Sequence, residues 1–217
     1  MKVTYQVTTD KKIPAVVYKG DYSTLVWIQS EWTEGRYAGW VQRNGCGHCC
    51  TAMAANLRGK SLDPHQELTL CCELWGEPSD ANQTAPFITV AGIVKVLEHL
   101  GLSSACFGVA KGEAKQATEH IIKSLQNGKL VIFISDPERY PENPFSTGLH
   151  YVMAVGIDEK GDILIANSSE KVSKGGIQKV AAQTIEKSIF EGGTANPEMT
   201  WGMLDYIPRG CTYVVVD

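Results

Sequence analysis

Cys46 is the residue of this sequence best placed to act as a nucleophile. It follows the turn dipeptide Asn44-Gly45 and begins a helical pattern, CGHCCTAMAANLRG. A thiol at the start of a helix lies beside unpaired backbone N–H groups and the positive end of the helix dipole, which favours the thiolate. A thiolate is the species that attacks a carbonyl carbon, so this position suits covalent catalysis. Position alone is equally compatible with a buried structural thiol.

A nucleophilic thiol needs a base, and His150 has the most suitable surroundings of the five histidines. It stands between a glycine-containing loop at residues 146–149 and a long apolar strand pattern, where a side chain is held rigidly and still reaches a cleft. A structural histidine can occupy the same kind of position. The other histidines are predicted to be solvated, capping, helix-surface or satisfied core residues: His48, His65, His99 and His120.

Asn167 is the candidate for a third member of this group. It ends the apolar run DILIA with an amide, where a strand pattern would give another aliphatic side chain. If the strands that begin at His150 and end at Asn167 pair through a turn near residues 158–159, these two residues lie opposite or nearly opposite each other. An amide that accepts from one imidazole nitrogen fixes the tautomer, so the other nitrogen can take the proton of Cys46. The alternative interpretation of Asn167 is a turn residue before two serines.

The elements that must position these residues change character near the middle of the chain. Helical patterns dominate the first half, at residues 46–58, after Pro64, and at about 87–100 and 113–126. Strand patterns dominate the second half, at Leu130–Ser135, 150–157, 162–167 and 211–217, with one short helix near 185–190 in the poorly patterned segment 170–210. Helices followed by antiparallel strands indicate an α+β fold with a cleft between a helical layer and a sheet layer.

This order also predicts the domain organisation. We expect one domain over residues 1–217, with a helical subdomain at about 29–128. A sheet subdomain is expected at about 129–217, with strand contributions from residues 1–28, which alternate in a strand-like way. A chain of 217 residues is long enough to bury a sizeable core without disulfide or metal staples.

Composition excludes several classes of partner. The net charge is −4 and no run of lysine and arginine occurs, which argues against a nucleic-acid binder. No apolar stretch approaches the roughly 20 residues of a membrane-spanning helix. The seven cysteines are an odd number and include two adjacent pairs, which favours a reducing compartment with most thiols buried as small hydrophobic groups. Because the N-terminus lacks the apolar core of a secretory signal, a cytoplasmic location is expected, with secretion as the alternative if a signal was removed.

Four short motifs follow one another along the chain: QSEW at residues 29–32, NGCG at 44–47 with Ala-Met shortly after, GLH at 148–150 and IAN at 165–167. In this order they resemble papain-like cysteine peptidases, closest to the bacteriocin-processing (double-glycine peptidase)-like family, over residues 25–170. The resemblance implies a papain-like fold and a cysteine-dependent hydrolase that cleaves peptide or amide bonds of a peptide or protein through a thioester. It implies no metal and no cofactor, and it leaves the oligomeric state open.

The resemblance also implies a glutamine that donates to the oxyanion. Gln29 matches the Gln-x-x-Trp form, whereas Gln42 lies four residues before Cys46, nearer to the short spacing of papain itself. Gln29 is the preferred candidate, with the backbone N–H of Cys46 as the second donor. The specificity pocket is expected from loops such as 75–87 and 136–148, and peptidases, amidases and acyltransferases all fit the same constellation.

The helix start departs from the family pattern, because His48-Cys49-Cys50 follows Cys46-Gly47. CGHC is also the redox motif of protein disulfide isomerases, so a thiol–disulfide oxidoreductase is an alternative function. Against it, no apolar strand runs into the motif and no βαβ pattern surrounds it. A zinc site built from this helix alone is geometrically poor, because ligands one to three residues apart cannot close a tetrahedron. An inactive papain-fold binding module is the third alternative.

Overall fold

The computed structural model describes residues 4–7, 16–19, 26–27, 29–31, 42, 44–75, 89–170, 172, 176–192 and 211–217. The helices within these ranges are α1 (Cys46–Leu57), α2 (Pro64–Trp75), α3 (Val90–His99), α4 (Ala114–Gln126) and α5 (Ala182–Ser188), preceded by a 3₁₀ turn at Gln29–Glu31. The strands are β1 (Thr4–Val7), β2 (Val16–Lys19), β3 (Ser104–Phe107), β4 (Leu130–Ser135), β5 (His150–Ile157), β6 (Ile163–Asn167), β7 (Gly176–Val180) and β8 (Tyr213–Val216). None of these helices is long and apolar enough to cross a membrane.

Local signals in the sequence mark the helix ends. Asp63 and Gln66 exchange side-chain-to-backbone hydrogen bonds at the start of α2, in the manner of a capping box. Thr89 caps α3 by accepting from the backbone N–H of Gly92 at 3.0 Å. Gly59 follows α1 with φ +80°, a left-handed conformation that favours glycine. These short-range interactions explain why the helix limits lie close to the sequence predictions.

Six strands form one antiparallel sheet in the order β3-β8-β4-β5-β6-β7. The predicted strands β4, β5, β6 and β8 are confirmed, and all six residues of β4 are buried. The strands β3 and β7 were not predicted; β7 lies in the segment 170–210, for which only a short helix was expected. The strand β3 lies between α3 and α4, so the sheet takes one edge strand from within residues 29–128. Its four residues carry no alternating burial pattern, because none of them is fully buried.

Helices cover both faces of this sheet. On one face α1 and α3 contribute Met53 and Leu97 to a core cluster that also contains Met153 of β5. On the other face α4 and α5 pack through Ile121 and Ile185 against the alternate residues of the same strands. Strands that are buried on both faces read as continuous apolar runs, which is how β4 reads in the sequence. The α+β class is confirmed, but the helices are divided between two layers rather than gathered in one.

The strands β1 and β2 pair with each other in a separate two-stranded sheet. These two strands of residues 1–28 therefore do not extend the six-stranded sheet. Pairing between strands close in sequence closes only a short loop, which costs less chain entropy than joining a distant sheet edge. Residues 76–87 of the predicted pocket loop 75–87 and the segment at 193–210 lie outside the described residues, whereas the other predicted pocket loop, 136–148, is described.

Candidate active site

His150 begins β5 and Asn167 ends the neighbouring strand β6. The two strands are antiparallel, with Met153 opposite Ala166, and a β-bulge in β5 shifts the register by one residue. Continuing these pairs places Val152 opposite Asn167, so His150, two residues from Val152, lies on the same face as the amide. Without the bulge Met153 would oppose Asn167, and the two side chains would point to opposite faces of the sheet.

The side chains of these two residues are hydrogen-bonded, with 2.8 Å between His150 Nε2 and Asn167 Oδ1. Two further bonds fix the orientation of the amide: Nδ2 donates to the Phe145 carbonyl at 3.0 Å, and Oδ1 accepts from the Ser169 backbone N–H at 3.0 Å. A backbone carbonyl only accepts and a backbone N–H only donates, so the amide cannot be flipped. His150 Nε2 is therefore the donor to Asn167, and in the neutral ring Nδ1 is left as the unprotonated nitrogen.

Hydrogen bonds within the loop between β4 and β5 hold the neighbours of His150 and Asn167 in place. Ser135 pairs with His150 across β4 and β5, and its hydroxyl accepts from Asn143 Nδ2 at 2.7 Å. Asn143 Oδ1 in turn accepts from the backbone N–H of Phe145 at 2.9 Å, next to the carbonyl that holds Asn167. Sequence analysis missed these supporting residues. Among them only Phe145 stands out in the sequence, as an apolar residue in a mostly polar, proline-rich loop.

Gln29 is buried and tied to the segment that follows β6. Its backbone N–H donates to the Ser168 carbonyl at 3.0 Å, and its side-chain Oε1 accepts from the Ser168 hydroxyl at 3.4 Å. On the other side, Nε2 donates to the Gln42 carbonyl at 3.0 Å, four residues before Cys46. Gln42 itself uses its side-chain Nε2 on the Ser30 carbonyl at 3.1 Å. Gln29 thus bridges the approach to α1 and the residue next to Asn167.

Cys46 is the first residue of α1 and is partly exposed, whereas its helix neighbours Cys49 and Cys50 are fully buried. Burial, together with the nearby Cys46, raises the pKa of both neighbouring thiols well above the ordinary value. Both are held as neutral thiols within the core. The helix packs against β5, the strand that His150 begins, and the Gln29 bridge joins the segment before Cys46 to the segment after Asn167.

His48 is placed differently from the sequence prediction. It was expected to be solvated or a helix cap, but it is fully buried, and its Nδ1 is hydrogen-bonded to Glu67 on α2. Cys71, one turn further along α2, donates to Glu67 Oε1 at 3.3 Å. The packing of α2 over the first turn of α1 brings these three side chains together, and the helical periodicity of α1 alone carries no information about it.

The remaining histidines and thiols follow the predictions more closely. His99 is exposed at the end of α3, and the ring of His120 contacts Tyr213 through a hydrogen bond of 2.7 Å. Five of the seven thiols are buried, as expected. Cys211 donates to Cys106 at 2.8 Å between their sulfur atoms, and this hydrogen bond lowers the pKa of Cys106 to about 7.

Comparison of the sequence with known protein families identifies the family of this chain. The sequence profile of the Peptidase_C39 like family matches residues 24–193, most of the chain. The chain belongs to this family. The match includes Cys46, His150, Asn167 and Gln29, and it confirms the resemblance on which the sequence analysis relied. No curated protein matches the chain.

Several solved structures are similar to this chain, and the first of the three below shares its papain-like fold. A putative C39-like peptidase from Bacillus anthracis has 15% identity and a TM-score of 0.50, with 90% of this chain and 95% of that chain covered. A double glycine motif protease from an AMS/PCAT transporter, solved with its leader peptide, has 15% identity and a TM-score of 0.41, covering 72% and 81%. The peptidase domain of Streptococcus ComA has 15% identity and a TM-score of 0.43, covering 67% and 85%.

Proposed function

We propose that this protein is a cysteine peptidase in which Cys46 is the nucleophile, His150 the base and Asn167 the residue that orients the base. The observation that carries the proposal is the fixed amide of Asn167, which accepts from His150 Nε2 and leaves Nδ1 able to take a proton. A catalytic imidazole must have one nitrogen protonated and held, and the other available. Membership of the Peptidase_C39 like family supports the same assignment.

The proposed reaction proceeds in two halves. His150 Nδ1 takes the proton of the Cys46 thiol, and the thiolate attacks the carbonyl carbon of the peptide bond to form a tetrahedral oxyanion. The imidazolium gives its proton to the departing amine, the C–N bond breaks and a thioester remains on Cys46. His150 then deprotonates a water molecule that attacks the thioester, which releases the new carboxyl group and returns the proton to the sulfur.

Gln29 is the proposed side-chain donor to the oxyanion. The amide nitrogen carries two hydrogens, and the bond to the Gln42 carbonyl uses one of them. Held at both ends, the amide needs little reorganisation when the oxyanion forms, which is the property that makes such donors effective. The backbone N–H of Cys46, at the start of α1, is the proposed second donor. Gln42 is the weaker candidate, because its side chain is less buried and is bonded to Ser30 rather than to the Ser168 segment.

The oxidoreductase alternative required a strand running into the CGHC motif within a βαβ unit. The described sheet has only antiparallel pairs, and α1 belongs to a papain-like arrangement. A reduced Cys46 is needed for peptidase chemistry, and the cytoplasmic location that we propose from the cysteine usage would keep it so. The proposed substrate is a peptide or protein chain.

The test is labelling with an electrophilic thiol probe of the peptidyl acyloxymethyl ketone type, followed by peptide mapping. We expect the label on Cys46 at neutral pH, with no label on the buried Cys49 and Cys50. His150→Ala should slow the labelling of Cys46 at least tenfold, since the thiolate loses its proton acceptor. The matched control is His99→Ala, which removes an exposed histidine of α3.

Turnover is then measured as cleavage of peptide bonds in a denatured protein mixture, read as new N-terminal amines by mass spectrometry. Wild-type protein should generate new termini that Cys46→Ala does not. Labelling of Cys46 at an equal rate in wild-type and His150→Ala protein would contradict the proposed base. Labelling that depends on His150 without any cleavage of peptide bonds would contradict the peptidase and favour an amidase or acyltransferase, whereas absence of both would favour the inactive binding module.

A further inference from the structure

A second cluster of reactive side chains lies between α1 and α2 and takes no part in the proposed peptidase chemistry. His48 comes from the first turn of α1, and Glu67 and Cys71 lie one helical turn apart on α2. At least one donor atom of each lies within 4.8 Å of the others. His48 and Glu67 have no exposed surface, and Cys71 is 1% exposed. A nitrogen, an oxygen and a sulfur donor therefore converge in the interior.

We propose that His48, Glu67 and Cys71 bind one divalent zinc ion that joins the first turn of α1 to α2. Imidazole nitrogen, carboxylate oxygen and thiolate sulfur are the three ligand types that zinc takes in proteins. Two helices supply them, which removes the objection that ligands on α1 alone cannot surround an ion. The three side chains provide three of the four ligands of a tetrahedral site.

The separations of the Cys71 sulfur from the other two donors are close to those of such a site. An ion about 2.3 Å from sulfur and about 2.0 Å from nitrogen or oxygen, at tetrahedral angles, holds the sulfur about 3.5 Å from each of the other two donors. The Cys71 sulfur lies 3.3 Å from Glu67 Oε1 and 4.0 Å from His48 Nδ1. These two distances lie on either side of the expected value. His48 Nδ1 and Glu67 Oε2 are in direct hydrogen-bond contact, so binding of an ion requires this pair to separate while the sulfur moves little.

The charges of the cluster are balanced by the ion. Without a metal, burial and the Glu67 carboxylate raise the pKa of Cys71 and hold it as a neutral thiol. With zinc, the carboxylate and the Cys71 thiolate together supply two negative charges to a doubly positive ion, and His48 binds as the neutral ring. The complex is then uncharged, which suits a site without solvent contact. The Cys71 thiol loses its proton when the sulfur binds the ion.

Cobalt(II) titration of EDTA-treated Cys46→Ala protein tests this site independently of peptidase activity. We expect saturation at one equivalent, with tetrahedral visible bands and a near-ultraviolet thiolate-to-cobalt band, and loss of these bands when one equivalent of zinc is added. Cys71→Ser in the same background should lose the near-ultraviolet band. Cys72→Ser, which changes the adjacent buried thiol of α2, should keep it. Glu67→Gln should weaken cobalt binding at least tenfold.

Folding of each variant is checked by far-ultraviolet circular dichroism. If Cys71→Ser does not fold, the folded parent and Glu67→Gln decide the outcome through their cobalt spectra. Absence of a saturable thiolate band in the folded parent would overturn the site, as would equal loss of the band in Cys72→Ser. Labelling of Cys46 by the peptidyl probe in the wild-type background is a separate readout, so failure of the metal site does not resemble failure of the peptidase.

Discussion

Two buried histidines in this protein differ in the partner that each one meets. His150 meets the neutral amide of Asn167, whereas His48 meets the carboxylate of Glu67. An amide orients the ring and lets it exchange a proton with a substrate or a thiol. A buried carboxylate requires a compensating charge, either a proton on the ring or a metal ion. The first arrangement suits catalysis and the second suits a fixed connection between helices.

The largest expected difference is in activity. His150→Ala should lower kcat/KM for peptide cleavage by about 10⁴-fold or more, because the thiol loses its base. His48→Ala should lower it far less in protein that remains folded, because His48 is bonded into the helix interface. The measurement is cleavage of a fluorogenic peptide chosen from the mapped cut sites. Comparable losses for both variants would mean that the two histidines are not functionally distinct.

The His48–Glu67 pair should contribute mainly to the stability of the fold rather than to activity. Glu67→Ala removes the partner of a buried histidine, and breaking such a pair typically costs about 3–5 kcal/mol of unfolding free energy. Urea denaturation in EDTA measures this loss without any metal contribution. Glu98→Ala, which removes an exposed carboxylate on α3, is the control and should change stability by about 0.5 kcal/mol or less. A loss below about 1 kcal/mol for Glu67→Ala would show that the pair is not a structural connection.

The next prediction concerns which glutamine donates to the oxyanion. Gln29→Ala should lower kcat by about 10²–10³-fold, the usual cost of one such donor. Gln42→Ala should lower it less than tenfold, because its side chain is directed to the Ser30 carbonyl. Steady-state kinetics of both variants on the same peptide separates the two glutamines. A larger loss for Gln42→Ala would exchange their roles.

Exchanging the partner of His150 tests the comparison directly. Asn167→Asp gives His150 a carboxylate, as His48 has, and a carboxylate stabilises the imidazolium. Because the imidazolium is the acid that protonates the leaving amine, the alkaline limb of the kcat/KM profile should move to higher pH by about one unit. Activity near neutral pH should stay within about tenfold of wild type. An unchanged alkaline limb would indicate that His150 is not the titrating acid.

Two thiols also differ in pKa because they have different partners. Burial and the Glu67 carboxylate raise the pKa of Cys71, whereas a hydrogen bond from Cys211 lowers the pKa of Cys106 to about 7. Since the thiolate is the reactive form, iodoacetamide should modify Cys106 with a half-maximal rate near pH 7 in the Cys46→Ala background. Cys211→Ala removes the donor and should slow the modification at pH 7 about fivefold. An equal rate in both proteins would exclude this hydrogen bond as the cause.

Much of the fold was predictable because its signals are local. The apolar run Leu130–Ser135 and the helix stop at Gly59 depend on burial periodicity and backbone conformation, which single segments display. The pairing of β1 with β2 in a separate sheet and the edge strands β3 and β7 were not predicted. Which sheet a strand joins depends on the sheet edges that the rest of the fold leaves available, and the sequence of a short segment does not determine that.

The candidate site divides in the same way. The sequence by itself determined which residues are candidates and their order, with Cys46 before His150 and Asn167. Helix starts and strand ends depend on the turn residues and apolar patterns next to them, which the sequence shows directly. The tertiary structure alone decided the β-bulge that turns Asn167 toward His150, and the packing of α2 that brings Glu67 and Cys71 to His48. Both depend on contacts between segments far apart or shifted by one residue, where the balance of packing and hydrogen bonding across the whole core decides the register.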